Sequence, residues 1–367
     1  MVGMAKMEQD SSGFCKSLIN PLLIMERFLH QKDELAEIIN FQAQALYQKL
    51  QTLQLQDLKL DSHYLEYFKS SHYRRQFFSI ETSAHLLYRS ILLKQKPVSE
   101  IVIMDYGAGI GTLFILAKMI GCRKVIYNDL FEEWKNSAQQ ILQGLQVSVD
   151  EYIVGDINST LNSLKLKQIQ CDIIASRNVI EHIYRLDVFY GLIYHHQPGA
   201  LIYSSTTANF YNPATHIQHI LMHRRYEKIF YEQRKEIIMD KIPGISLVDA
   251  GRLSKKARGL GGEELIQELA DLKSIDKRLP VKDLYTNTCD PYNGVWAEHL
   301  LSFPTYRNLI GQNFITKIEP GFWDTHYNSP LKNVMAKMLN SIIRFNKIVG
   351  IMLTPFIYVI AIPRQRT

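Results

Sequence analysis

The strongest constraint on the fold is an alternation of short apolar runs with helical stretches that begins at Ser99. Five runs read as strands: EIVIMDY, KVIYNDL, EYIVGDI, CDIIASRN and ALIYSST. Runs this apolar are typical of parallel strands that are covered on both faces. Parallel strands are joined by right-handed crossovers, which are usually helical. The alternation therefore predicts an α/β fold with a doubly wound sheet.

The alternation stops near Ala208 and resumes at residues 313–323, which brings the predicted sheet to seven mostly parallel strands. The interval is polar and helix-rich. Because a loop of that length is not expected to be structureless in a compact domain, we predict a helical cap there, inserted after the fifth strand. Four parts follow: an N-terminal helical region (1–95), the sheet core (96–209), the cap (210–300) and the rest of the core (301–367).

The first strand ends in the turn DYGAGIG, residues 105–111. A phosphate-binding loop of the GxxxxGK[ST] type needs a lysine, and the first lysine after the turn is Lys118, inside the next predicted helix. A dinucleotide turn of the GxGxxG type needs a third glycine where Thr112 or Phe114 stands. Neither motif fits, which argues against a Rossmann-type oxidoreductase.

The pattern DxGxGxG resembles the first motif of class I S-adenosylmethionine (SAM)-dependent methyltransferases. The resemblance implies a Rossmann-like methyltransferase fold, SAM as the cofactor, and cofactor contacts from Asp105, Gly107, Gly109 and Gly111. SAM carries no phosphate, so no lysine is needed. Its carboxylate suits backbone N–H groups at a helix start, and Asp105 is a candidate partner for its ammonium group.

Two further acids follow predicted strands. Asp129 lies 22 positions after Gly107, where an acid can accept hydrogen bonds from a ribose diol; the alternative is a helix N-cap. Asp156 stands in a "GD" position which, in the resembled family, lies beside the adenine, with Ile157 against the ring. The alternative for Asp156 is a solvated turn acid.

The segment DIIASRNVIEHI, residues 172–183, resembles the fourth motif of a methyltransferase subgroup that includes the ubiquinone-pathway enzymes. The resemblance places Asn178 at the cofactor. His182 is a candidate general base, or it belongs only to the helix start and the cofactor pocket. Arg177 can bind an anionic substrate, or it can pair with Glu181.

The cap carries a set of candidate acceptor residues. His216, His219 and His223 share one face if this segment is helical, and we predict His216 and His219 as catalytic. Metal binding and ordinary packing are the alternatives for these histidines, and we expect no metal site. Asn209, Tyr211 and Tyr226 are predicted substrate contacts.

Composition limits the setting. A net charge of +6, with basic residues spread along the chain, does not favour nucleic acid as a partner. Four dispersed cysteines and no apolar signal segment indicate a cytoplasmic protein with reduced thiols. The apolar run near Pro355 fits a buried last strand, and peripheral membrane contact stays an alternative. The oligomeric state is left open.

The expected function is methyl transfer from SAM to an oxygen or nitrogen of a small organic molecule, a sugar or a lipid-like acceptor. Two alternatives remain open: a SAM-binding partner protein without turnover, and a methyltransferase that acts on a macromolecule.

Overall fold

The computed structural model describes residues 27–272 and 285–364. One sheet of seven strands organises this part of the chain, in the order β3-β2-β1-β4-β5-β7-β6. The strands are β1 (Val102–Tyr106), β2 (Lys124–Asp129), β3 (Glu151–Val154), β4 (Ile173–Arg177), β5 (Leu201–Thr206), β6 (Phe314–Pro320) and β7 (Ile357–Pro363). β7 runs antiparallel to both of its neighbours, and the other pairs are parallel.

Helices cover both faces of the sheet. They are α1 (Glu34–Thr52), α2 (Ser62–Tyr67), α3 (Gln76–Lys94), α4 (Leu113–Met119), α5 (Glu132–Leu145), α6 (Ile157–Leu166) and α7 (Leu186–His196). One core layer joins α1, α3, α4 and α5 to the sheet, and a second joins α6 and α7 to its other face. Because both faces are covered, all six residues of β5 are buried.

The cap follows β5 as α8 (Pro213–Lys241), α9 (Leu247–Lys256) and α10 (Gly262–Ala270), and it has a small core of its own around Ile238, Leu253 and Leu265. The segment 285–301 returns from the cap to the sheet. Its backbone binds the turn after β4, because Trp296 N–H donates to the His182 carbonyl and His299 N–H donates to the Glu181 carbonyl. The cap is therefore fixed over the ends of the strands.

The chain then completes the sheet through α11 (Phe303–Ile310), β6, α12 (Pro330–Phe345), α13 (Lys347–Leu353) and β7. The expected fold is confirmed: this is the seven-stranded Rossmann-like methyltransferase fold, with N-terminal helices and a helical insertion after the fifth strand. Residues 1–26 of the predicted N-terminal helical region lie outside the described residues. In the described ranges, no helix combines the length and apolar character that crossing a membrane requires.

Candidate functional site

A cavity of about 1240 Å³ opens at the carboxyl ends of β1, β2, β3 and β4. Three parts of the chain form its walls: the strand ends with their turns, one face of α8, and the returning segment 285–301. In open α/β sheets, ligands bind outside the carboxyl ends of the strands, beside the point where the strand order reverses. Here that point lies between β1 and β4.

The glycine turn after β1 forms the floor of the cavity. Gly107 and Gly109 have φ values of +67° and +52°, a conformation that residues with a Cβ rarely adopt. A Cβ on Gly107 would lie 2.6 Å from the Val179 side chain, whereas a Cβ on Gly109 would meet no protein atom within 4 Å. Gly109 and Gly111 both line the cavity, so the turn leaves an open cradle for a ligand at Gly109.

Asp105 lies beneath this turn and is almost completely buried. Its Oδ2 accepts the Phe114 N–H at 3.1 Å, so the carboxyl group faces the start of α4. Burial raises its pKa to about 7, against the opposing effects of the Arg177 charge and this hydrogen bond. A cationic ligand group placed beside Asp105 would favour the ionised form.

Asp129, at the tip of β2, links that strand to the glycine turn. Its Oδ2 accepts the Gly109 N–H at 2.8 Å and its Oδ1 accepts the Leu130 N–H at 2.8 Å. Burial raises the pKa of Asp129, although the backbone donors oppose this. Both oxygens keep further lone pairs for a ligand diol.

Asp156 is the N-cap of α6, where its Oδ1 accepts the Ser159 N–H at 2.9 Å. This hydrogen bond holds the pKa of Asp156 below its usual range. Asp156 and Ile157 both line the cavity, so the structural role leaves the side chains beside the ligand space.

Arg177 lies at the end of β4, against α3. Its Nη1 donates to the Ser79 carbonyl at 3.0 Å and to the Ser83 hydroxyl at 2.8 Å. It reaches these groups and not Glu181, so the pairing that the sequence left open is not the one observed. Burial lowers the pKa of Arg177 and the nearby Asp105 charge raises it. The next residue, Asn178, has a φ of +55° and also lines the cavity.

His182 reaches the cavity from the turn after β4. Its Nδ1 lies 2.8 Å from the carbonyl oxygen of Trp296. A carbonyl only accepts hydrogen bonds, so Nδ1 carries the hydrogen and Nε2 of the neutral ring keeps a lone pair. That tautomer suits a proton acceptor.

The histidines of α8 lie elsewhere. His216 Nδ1 contacts the Phe210 carbonyl at 2.6 Å and its Nε2 contacts the Tyr285 hydroxyl. His219 Nε2 lies 2.6 Å from a carboxylate oxygen of Glu298. Neither histidine lines the cavity, and the catalytic role of His216 and His219 stays a prediction. The physical reason for their position is the helix phase: this face of α8 packs on the returning segment.

A different face of α8 borders the cavity. Met222, Tyr226 and Phe230 follow each other at intervals of four residues, and the Tyr226 and Phe230 rings stack with their centroids 5.6 Å apart. Tyr226 therefore lines the cavity, and its contact with the acceptor stays a prediction. Met222 and Phe230 extend that surface.

Two other predicted acceptor contacts lie outside the cavity lining. The Asn209 amide donates to the carbonyls of Ile351 and Thr354, so this fully buried side chain ties β5 to α13. Tyr211 packs on Phe303, with ring centroids 4.3 Å apart, and its hydroxyl accepts the Phe303 N–H. Both residues lie at the join between cap and core, and their contact with the acceptor stays a prediction.

Sequence reasoning missed Glu298, Tyr67 and Trp134. Glu298 lines the cavity with a φ of +55°, and its carboxylate also accepts from the Thr207 hydroxyl at 3.3 Å. The hydrogen bond from His219 lowers the Glu298 pKa, against the effect of burial. No sequence pattern marks Glu298 or Tyr67. Phe230 also lines the cavity and was not predicted. Its position four residues after Tyr226, on the same helix face, is a sequence signal that would have indicated it.

Neither family models nor curated proteins match this chain. Solved structures do match. A SAM-dependent methyltransferase from Mesorhizobium loti is 13% identical over 76% of this chain and 97% of its own, with a TM-score of 0.34. The magnesium protoporphyrin IX methyltransferase of Synechocystis, solved with S-adenosylhomocysteine, is 18% identical over 38% and 68%, with a TM-score of 0.27.

A Streptococcus mutans protein described as a SAM-dependent methyltransferase is 14% identical, with a TM-score of 0.28. The match covers 35% of this chain and about a third (36%) of that protein.

Proposed function

We propose that the protein is a SAM-dependent methyltransferase that modifies an oxygen or nitrogen of a small organic acceptor. The observation that carries this proposal is the single cavity that joins the glycine turn to the aromatic face of α8. Its volume of about 1240 Å³ exceeds the roughly 300–1,000 Å³ of ordinary one-ligand pockets, so a cofactor and an acceptor fit side by side.

The residues of the strand-end wall fit SAM in the order of its parts. In this assignment Asp156 and Ile157 border the adenine, and Asp129 accepts hydrogen bonds from the ribose hydroxyls. The open cradle at Gly109 receives the methionine part of SAM. Asp105 faces the ammonium group. Arg177 directly precedes Asn178, and its Nη1 donates a hydrogen bond to the Thr112 hydroxyl beside the glycine turn. In this assignment Arg177 pairs with the carboxylate of SAM. It therefore serves the cofactor.

SAM supplies a methyl group that is already activated by a positively charged sulfur. The protein must then orient the acceptor and take up the proton that its hydroxyl or amine loses. His182 Nε2 is the base in this proposal, because the Trp296 carbonyl fixes the ring with that lone pair available. Glu298, on the returning segment that lines the same cavity, holds a negative charge and is hydrogen-bonded to His219.

The acceptor side of the cavity is apolar and aromatic. Met222, Tyr226 and Phe230 of α8 face it, and Trp296 borders it from the returning segment. Such a surface favours a flat or lipid-like acceptor over a strongly polar sugar. The cap in this proposal sets acceptor choice through its aromatic face, whereas its histidines brace the loop.

A labelling experiment tests the proposal. The protein is incubated with metabolite fractions and SAM labelled in its methyl group, and the labelled product is identified by mass spectrometry. We expect transfer to an apolar metabolite and a large loss with His182→Gln. Tight SAM binding with no transfer to any fraction, including protein and RNA, would instead support the partner protein without turnover.

A further inference from the structure

The outward face of α12 is apolar where solvent contact would favour polar side chains. Six of its large apolar residues are exposed: Leu331, Val334, Met335, Met338, Ile342 and Phe345. Phe345 keeps 92% of its surface and Met338 keeps 62%. We call these six residues the α12 face.

The α12 face is one continuous stripe. At about 100° of rotation per residue, the six positions fall within an arc of about 100°. That arc lies opposite Ala336 and Ile343, which are buried against the rest of the protein. An ordinary surface helix has one apolar stripe, turned inward. α12 has a second one, turned outward, which marks an interaction surface.

The charged side chains of α12 itself are all cationic. Lys332, Lys337 and Arg344 lie on α12 beside the apolar arc. In the sequence, no aspartate or glutamate follows Asp324. Two copies of the α12 face meeting about a two-fold axis would bring these cations together, which disfavours self-association. An anionic surface would complement them.

We propose that the α12 face docks the protein on anionic lipid membranes, with α12 lying in the plane of the interface. Apolar side chains on one face and cations beside them are the features that hold interfacial helices at anionic headgroups. With 16 residues, α12 is shorter than the ~20 residues that a spanning helix needs, which agrees with an in-plane position. The proposal does not depend on methyl transfer.

Vesicle flotation with the full chain tests the proposal. The probes are vesicles of phosphatidylcholine alone and vesicles with about a third phosphatidylserine. We expect the protein to float with the anionic vesicles at low salt and to be released as salt screens the attraction. A protein that floats with neither vesicle overturns the proposal.

Matched variants locate the contact. Met338→Glu with Phe345→Glu changes two exposed side chains, so the fold should persist, and we expect at least a tenfold loss of anionic-vesicle affinity. Lys332→Gln with Lys337→Gln should lower the affinity severalfold and weaken its salt dependence. The control is Ile217→Glu with Leu221→Glu on α8, where 59% and 58% of the side chains are exposed.

The outcomes separate the possible occupants. Unchanged flotation of the α12 variant, or an equal loss in the α8 control, overturns membrane docking by this face. A parent dimer in light scattering that becomes a monomer in the α12 variant, without vesicle binding, assigns the face to a second copy. A lowered thermal midpoint of the α12 variant, again without vesicle binding, assigns it to another segment of this chain.

Discussion

The two walls of the cavity differ in how their residues reach it. On the strand-end wall, Asp105, Asp129 and Asp156 all line the cavity, and their contact with the cofactor stays a prediction. On the cap wall, His216 and His219 contact Phe210 and Glu298 without lining the cavity, and the aromatic face of α8 borders it instead. A strand end therefore fixes where its side chains lie, whereas a helix in a cap can turn any of its faces toward the cavity.

The difference has a physical basis. Parallel strands in one sheet end at a common edge, and each turn there begins at a position marked by a glycine or an acid. An isolated helix shows only which residues share a face. Which face turns inward depends on what packs against it, and here the segment 285–301 takes the histidine face.

The largest expected effect comes from the glycine turn. Gly109→Val should reduce SAM affinity at least a hundredfold, because its side chain would enter the open cradle and the φ of +52° is unfavourable for it. Calorimetric titration measures this. The control is Gly121→Val. Gly121 has a φ of +90° and an added Cβ there would also meet no atom within 4 Å, but Gly121 does not line the cavity. Equal losses in both variants would mean that backbone strain, and not contact with SAM, is responsible.

The aromatic face of the cap should have the next effect. Tyr226→Ala with Phe230→Ala should lower turnover of the acceptor, once identified, by tenfold or more, which is about 1.4 kcal/mol per decade. SAM affinity should change little, since the cofactor residues lie on the other wall. The matched variant His216→Ala should lower the thermal midpoint and keep turnover. The reverse pattern would restore the histidine face as the acceptor surface.

The pH dependence of SAM affinity should depend on Asp105. Its pKa of about 7 means that the carboxyl group is mostly protonated at pH 6 and mostly ionised at pH 8. If the ionised form receives the ammonium group, affinity should rise up to about tenfold over this range. Asp105→Asn should remove the rise. A parent affinity that is flat or falls with pH would argue against this contact.

The smallest expected effect concerns the hydrogen bond between His219 and Glu298, which we call the brace. Burial is the largest single effect on the His219 pKa and lowers it, but the hydrogen bonds to Glu298 and to the Thr215 carbonyl, together with the nearby carboxylate charges, outweigh burial and raise the His219 pKa. The stabilisation from its charge is therefore present below pH ~6.5 and is lost as pH rises through the raised pKa. Urea unfolding at pH 6 and pH 8 should show His219→Gln costing more at pH 6, by up to about 1 kcal/mol.

His223 provides the control for the direction of this pH dependence. Burial lowers its pKa, so its neutral form is favoured in the fold and stability gained from it should rise with pH. His223→Gln should therefore show the opposite trend to His219→Gln. Parallel trends would show that the brace does not act through the charge of His219.

The sequence was sufficient for the sheet, because buried strands and their turns are recorded in local patterns. The seven mostly parallel strands and the insertion after β5 follow from those patterns and from the resemblance, whereas the order of the strands in the sheet comes from the structure. Other parts required the structure. Tyr67 and Glu298 reach the cavity from distant segments, and Asn209 is held by carbonyls about 140 positions further along the chain. No local pattern encodes contacts of that range.

The central claim is that the strand-end wall is built for SAM. Titration calorimetry of the full chain with SAM, S-adenosylhomocysteine and, in parallel, NADH tests it most directly. We expect low-micromolar binding of SAM and S-adenosylhomocysteine, roughly −8 kcal/mol, and no binding of NADH. Absence of heat with SAM and S-adenosylhomocysteine near millimolar concentration, or a preference for NADH, would contradict it.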